Sequence, residues 1–437
     1  MSLFELFIDP VTRAPLIGSM LMTLASALMG VLIVVRRRSL LGETLSHAAY
    51  PGVQLSLFIG AVLVSPSHPL ASLIVLAGAF VTSYLGLESV EILRRKFRVH
   101  LDAALCLVLS LFLGVGVVFA SHLQFTQPLW YKQSQVFIYG QAATMGDRHI
   151  LIYGVLALLV LVFIIVRFRE IELVLFDRTY AYTQPLRQKG LNRTLFFLLI
   201  LSIVVGIRSV GVILMSGMLL APVAAARAFT DRFSALMTLS ALFGMLSALG
   251  GNLLSITLSL QGTSFPTGPM ILLVATLLTL LSLLFAPKKG AVSRMIRIHQ
   301  FRRRCRAENI LKTLWKNGAK HSLSHGGILN WNAMGKLALS RALFSLQREG
   351  WVVKTGEGKL LLTSDGEKRA ARLVRLHRLW ELYLASCLKA DEERVHHSAE
   401  EMEHILTPEL ETRLSVLLNH PKKDPHEKPI PQGEGKC

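Results

Sequence analysis

Apolar residues fill the first two-thirds of the chain in long unbroken blocks; in the last third they recur singly at helix or strand spacing. Blocks such as LIGSMLMTLASALMGVLIVV (16–35) and ILIYGVLALLVLVFIIV (150–166) hold hardly a charge. An apolar helix of about 20 residues crosses the hydrocarbon of a bilayer. Nine such spans are expected, near 16–35, 47–64, 70–88, 101–120, 150–166, 194–206, 210–229, 233–250 and 268–286. Because the blocks keep recurring, the first is not a cleavable signal. The pattern predicts an all-α polytopic membrane domain of about nine transmembrane helices over residues 1–290.

After Lys288 the period changes. HQFRRRCRAENILKTLWKN (299–317) reads as a helix, and WNAMGKLALSRALFSLQREGWVV (331–353) as two short helical stretches running into a strand. KTGEGKLLLT then supplies a glycine turn and a second strand. Two helices followed by a hairpin form a winged helix-turn-helix pattern, expected over 291–362. Its second helix, about 337–349, presents Ser340, Arg341, Ser345 and Arg348, and Lys354 and Lys359 flank the wing. A helix entering a DNA groove with basic phosphate contacts needs these residue types.

Charge sharpens the topology. The net +19 divides almost evenly, with 21 Lys and Arg against 11 Asp and Glu in residues 1–290. In that part the basic clusters fall in every second connection: Arg36 to Arg38, Arg94 to Arg98, Arg167 to Arg193, Arg227 to Arg232, and Lys288 onward. The positive-inside rule puts the N-terminus outside and the tail in the cytoplasm. The connection at 207–209 is the shortest, and fusing its neighbours would give eight spans. Trp130 and Tyr131, in the long outer connection, suit a membrane interface. The basic tail suits nucleic acid or an anionic surface. The four cysteines, at 106, 305, 387 and 437, lie far apart without a CxxC, which supports neither a disulfide framework nor a zinc knuckle.

Two stretches carry candidate chemistry. In RRRSLLGETLSHAAYPG (36–52), Glu43 and His47 are four apart and share a helical face at the mouth of the second span. Ionisable groups entering a membrane are costly and usually line a polar path. Pro51-Gly52 then allows the helix to bend or break. The second stretch is VHHSAEEMEH (395–404), where Glu400, Glu403 and His404 stand at i, i+3, i+4 with His396 a turn earlier. His377 and Glu381, also i, i+4, can approach from a neighbouring helix.

RRRSLLGETLSHAAYPG together with VGVILMSGMLLAPVAAARAF (210–229) resembles the permease subunits of the ABC-3 family, which import manganese, zinc or iron. The resemblance implies a metal path at Glu43 and His47, the first position more often being Asp. It also implies an ATPase contact near Pro222 to Arg227, an extracytoplasmic metal-binding protein, and a second permease subunit in the cell (inner) membrane. The chain has no GxxxxGK[ST], so ATP hydrolysis must come from a partner subunit rather than from this chain.

The order RLHRLWE, VHHSAEEMEH, PKKDPHEKPIP resembles the metal-sensing and dimerisation region of diphtheria-toxin-repressor-like regulators. That implies a helical metal-binding and dimerisation domain over 363–437, a homodimer of the tail, and operator DNA as partner. It implies one metal site at His377, Glu381 and His396, and another at Glu400, Glu403 and His404 with Asn309 from the first helix. His397 matches no ligand. Carboxylate and imidazole without thiolate suit manganese or iron and admit zinc. The expectation is a metal-import permease fused to a metal-dependent transcription repressor. The alternative is a transporter whose tail binds metal and regulates transport in cis without touching DNA. The basic junction 288–306 is expected to be exposed and open to proteolytic release of the tail.

Overall fold

The computed structural model describes residues 3–63, 69–140, 142, 145–183, 188–259, 265–316, 336–355, 359–388, 399–400 and 402–432. They fall in two compact units, Met1–Ser293 and Arg294–Cys437.

The first unit is a helical bundle. Its long helices are α2 (Pro10–Val35), α3 (Leu40–Leu63), α4 (Pro69–Lys96), α5 (Leu101–Thr126), α7 (Asp147–Phe176), α9 (Gln188–Val210), α10 (Val212–Phe229), α11 (Phe233–Ser259) and α12 (Thr267–Phe285). Three short helices join them: α1 (Leu3–Ile8), α6 (Pro128–Tyr139) and α8 (Arg178–Thr183). Among the described residues, eight helices are long and apolar enough to cross a membrane. The other long helix, α3, falls outside that set because it carries Glu43, Ser46, His47 and Gln54. Large apolar side chains on outward faces, among them Leu111, Val118, Leu151 and Val166, stay exposed as a lipid-facing surface requires.

Helix starts follow local chemistry. Asp9 caps α2 by accepting from Val11 N at 3.1 Å, with Pro10 at the first helical position. Glu91 gathers Arg94, Arg95 and, from the turn after α2, Arg38, so the basic clusters are anchored to the bundle.

Three expectations change. First, no loop occupies 207–209: α9 runs through Arg208 to Val210 and the break is the single residue Gly211, at φ +95°. A side chain there would collide with the Ile138 carbonyl oxygen, 2.3 Å from the added carbon, and one at Gly140 (φ +72°) would lie 2.3 Å from Val210. Two left-handed glycines thus let the backbones meet. Second, the long outer connection folds as α6 from Pro128, and Trp130 is buried against Gly60. Third, α3 passes Pro51 without breaking, because Gly52 and Gly78 bring α3 and α4 into backbone contact that holds the helix in line.

The second unit begins on α13 (Ala291–Lys316), continues with α14 (Lys336–Arg348), β1 (Val352–Lys354), β2 (Leu360–Leu362) and α15 (Ser364–Leu388), and ends with α16 (Pro408–Leu417). The strands pair antiparallel, Val353 opposite Leu361. Gly350 at φ +74° ends α14 and turns the chain into β1, its amide and that of Trp351 bonding back to Gln347 and Leu346. Ile310, Leu311, Leu314, Leu339, Leu343, Leu346, Val352 and Leu360 form one buried core. The first helical stretch expected in 331–353 lies outside the described residues, apart from the start of α14. The basic junction is not an open linker: from Ala291 it is already helix, starting eight residues before the expected position.

Candidate functional site

In the membrane unit the first candidate site lies on α3. Glu43 and His47 are one turn apart and half-buried. His47 Nδ1 is buried and has no hydrogen-bond partner among the described residues. Because Pro51 has no N–H, the His47 carbonyl also lacks its helical donor. Two turns beyond His47, Gln54 is fully buried with both amide atoms unpaired among the described residues. Their neighbours are satisfied: Ser46 donates to the Gly42 carbonyl at 2.8 Å, and Ser83 donates to that of Leu45 at 3.1 Å. Leaving polar atoms unpaired away from water costs several kcal/mol, roughly, per group. The stripe Glu43–His47–Gln54 is thus a costly feature able to receive a cation.

Elsewhere in this unit, Pro222 is buried inside α10 and Arg227 is exposed near its end. The Arg227 carbonyl accepts from Lys289, and Lys289 also pairs with Asp231.

The second candidate site is in the tail, where α13, α15 and the turn after Ala399 bring carboxylates and imidazoles together. His377 Nε2 lies 3.1 Å from Glu381 Oε1 on α15, and His377 Nδ1 lies 2.6 Å from Glu403 Oε2. His404 has Nδ1 2.8 Å from Glu308 Oε2 and Nε2 3.0 Å from Asn309 Oδ1, with Nε2 also 3.8 Å from Glu403 Oε1. Glu308 also accepts from Arg369 Nη2 at 2.7 Å and Arg304 Nε at 3.2 Å. Lys312 reaches Glu403 from one turn further along α13, its Nζ 2.6 and 3.0 Å from the two carboxylate oxygens. Glu308, His377, Glu381 and Glu403 are all at most 4% exposed.

The charges answer one another. Burial pushes Glu308 up, but the bonds from His404 and Arg369 outweigh it and bring the carboxyl down to about 2. Burial likewise opposes ionisation of Glu403, and the hydrogen bond from His377 with the Lys312 charge holds it below the ordinary carboxylate range. Burial lowers His377, while its bonds to Glu381 and Glu403 raise it overall.

This arrangement differs from the expected partition. Glu403 N still bonds to the Ala399 carbonyl, and the turn tightens only at Ile405, whose N bonds to the Met402 carbonyl. Glu403 joins His377 and Glu381, His404 joins Asn309, and Glu400 is exposed. His396 and His397 lie outside the described residues. Sequence reasoning missed Glu308 and Lys312, although their i, i+4 spacing puts both on one face of α13. By type, the donors suit a divalent cation taking oxygen and imidazole nitrogen. Among the described residues, no three His, Cys, Asp or Glu side chains already converge as a metal cage.

The loop 421–431 is fastened to the opposite side of α15. Arg375 donates to the Pro431 carbonyl at 2.8 Å, and Arg378 pairs with Asp424, whose Oδ1 accepts from the amides of His426 and Lys428.

On α14, Ser340, Arg341 and Arg348 are exposed, and Ser345 is half-buried with its hydroxyl 3.4 Å from Glu349. Lys354 and Lys359 are exposed at the two ends of the wing. A cavity of about 750 Å³ is lined by Arg341 with His299, Arg303 and Arg306 of α13, an extension of the basic face absent from the sequence reading.

The sequence pattern of the ABC 3 transport family matches residues 9–286. That of the iron dependent repressor, metal binding and dimerisation domain matches residues 363–432. A probable metal transport system membrane protein of Chlamydia trachomatis serovar D is 35% identical over 98% of this chain and 97% of its own length. The manganese transport system membrane protein MntC of Bacillus subtilis is 30% identical over 86% of this chain and 84% of its own. Among solved structures, PsaBC from Streptococcus pneumoniae in complex with Fab covers 68% of this chain and all of that one, with a TM-score of 0.57 at 22% identity, a shared fold.

Proposed function

The chain belongs to the ABC 3 transport family, and on that premise we propose that it is the membrane subunit of a divalent-metal importer fused to a metal-responsive repressor of uptake genes. Residues 1–290 form the permease, 291–362 the winged helix, and 363–437 the sensing and dimerising part. Manganese is the first candidate metal, supported by the likeness to MntC, and the same oxygen and nitrogen donors accept iron and zinc.

In the permease, Glu43 and His47 receive the cation delivered by an extracytoplasmic binding protein, and Gln54 continues the polar stripe. A partner ATPase drives the cycle, with exposed Arg227 at its contact and a second permease subunit completing the path. The protein lies in the cell membrane with its basic connections and tail on the cytoplasmic side. Release of the tail requires a cut outside helix, and near the junction only residues 286–290 offer one among those described.

In the tail, His404 with Glu308 and Asn309, and His377 with Glu381 and Glu403, supply the sensing donors. A bound metal would crosslink α13 to α15 and the turn after Ala399. Since α13 also lines the cavity beside Arg341, its position bears on DNA binding. A metal favours the DNA-competent dimer only through tighter binding to that state. The observation carrying this reading is the convergence of buried acids and imidazoles from three separate segments of a basic winged-helix unit.

The test is DNA selection and footprinting with the full chain in detergent, with and without Mn²⁺, beside the Glu403→Gln variant. Metal-dependent protection, abolished in the variant, is expected. Equal DNA affinity with and without Mn²⁺, alongside intact metal binding, would sink the repressor reading in favour of control of transport in cis.

A further inference from the structure

Among the described residues of the tail cluster, the Lys312 ammonium is a feature that a metal-binding reading does not absorb. Its Nζ lies 2.6 Å from Glu403 Oε2, 3.0 Å from Oε1 and 3.1 Å from His377 Nδ1. The side chains of Lys312 and Glu403 are only 8% and 1% exposed. Lysine is almost never this buried unless a partner holds it there. Here the partner is the Glu403 carboxylate that a divalent cation would take, and His377 Nδ1 donates to the same carboxylate.

We propose that Lys312 is an internal cation occupying the Glu403–His377 half of the cluster, and that a divalent metal enters this half only by displacing it. This rests on the reading of the tail as metal-responsive. An ammonium and a divalent ion sharing one buried carboxylate repel strongly, because the interior screens them poorly. Lysine suits a displaceable occupant, being a point charge on a flexible four-carbon stem rather than a planar fork. The other half is built differently. Glu308 is held by Arg369 and Arg304, while His404 and Asn309 face one another directly at 3.0 Å. One face of α13 therefore gives the two halves opposite characters, with a carboxylate at Glu308 and a cation at Lys312. The consequence is a raised threshold: the Glu403–His377 half fills only when metal is abundant enough to expel Lys312.

The full chain in detergent, with Glu43→Ala and His47→Ala to silence the membrane site, is titrated with Mn²⁺ and free ion is followed by electron paramagnetic resonance. Lys312→Gln is expected to bind Mn²⁺ about tenfold more tightly at the weaker tail site, and Lys312→Arg, which keeps the charge, is not. In a protein with Lys312 intact, acetylation of Lys312 read by mass spectrometry should rise with Mn²⁺, while Lys354 and Lys359 stay constant. That labelling decides the matter even where Lys312→Gln fails to fold. Unchanged Lys312 labelling while the tail binds Mn²⁺, or equal Mn²⁺ binding with lysine or glutamine at 312, overturns the proposal and leaves the metal-responsive reading standing. If no tail binds Mn²⁺ whatever residue stands at 312, both readings fall.

Discussion

His404 Nδ1 lies 2.8 Å from Glu308 Oε2, a contact between residues 96 apart in sequence. It fastens the turn after Ala399 to α13, whose earlier turns line the cavity beside Arg341. Glu308→Ala would leave Arg369 and His404 without their shared anion. Breaking such a buried cluster costs about 3 kcal/mol. The variant should lower the melting point of the tail, followed by fluorescence from the four tryptophans after residue 300. An unchanged melting point would mean that the contact carries no stability.

Acid should act on the same residue. The folded value of Glu308, about 2, lies below the ordinary 4.5, so its contribution is fully present above about 4.5 and disappears as pH falls toward 2. Glu308→Gln cannot lose a contribution it lacks. Its stability should therefore fall less steeply than wild type across that window, as measured by denaturant titration at several pH values.

Substituting Glu43 or His47 with Ala should reduce metal uptake to roughly a tenth or less of wild type, given how rarely such groups are kept in a membrane without a role. Radioactive manganese uptake reports transport, and membrane fractionation checks insertion. Wild-type uptake by the double variant would remove both residues from the path.

Arg303 and Arg306 should bind DNA phosphates alongside Lys354 and Lys359. Replacing any one of them with Ala should make the slope of log affinity against log salt shallower by about 0.9. Arg341→Ala should instead cost about 1–3 kcal/mol and relax the preference for one base. Titrating DNA at several salt concentrations separates the two effects.

Much of this was legible in the sequence because it rests on period. Long apolar blocks became α2 to α5, α7 and α9 to α12, and the hairpin residues became β1 and β2. The site was less legible for a geometric reason. Glu403 and His404 are adjacent, yet the first pairs with His377 and the second with Glu308 and Asn309, a division that spacing alone does not reveal. Glu308 and Lys312 escaped notice because a carboxylate and a lysine four apart usually describe a solvated helix face. Only packing against α15 reveals them as buried. The helix α6 escaped differently, because a twelve-residue helix inside a polar connection leaves no long apolar block to mark it.

The meeting of Gly140 and Gly211 bears on how such proteins can diverge. A side chain at either glycine would strike the backbone beside the other, Val210 on one side and the Ile138 carbonyl on the other. Neither position can leave glycine unless the facing backbone is rerouted first. Related lineages that keep this crossing should therefore keep both glycines, although the two stand 71 positions apart and the sequence between them is free to vary on its own terms.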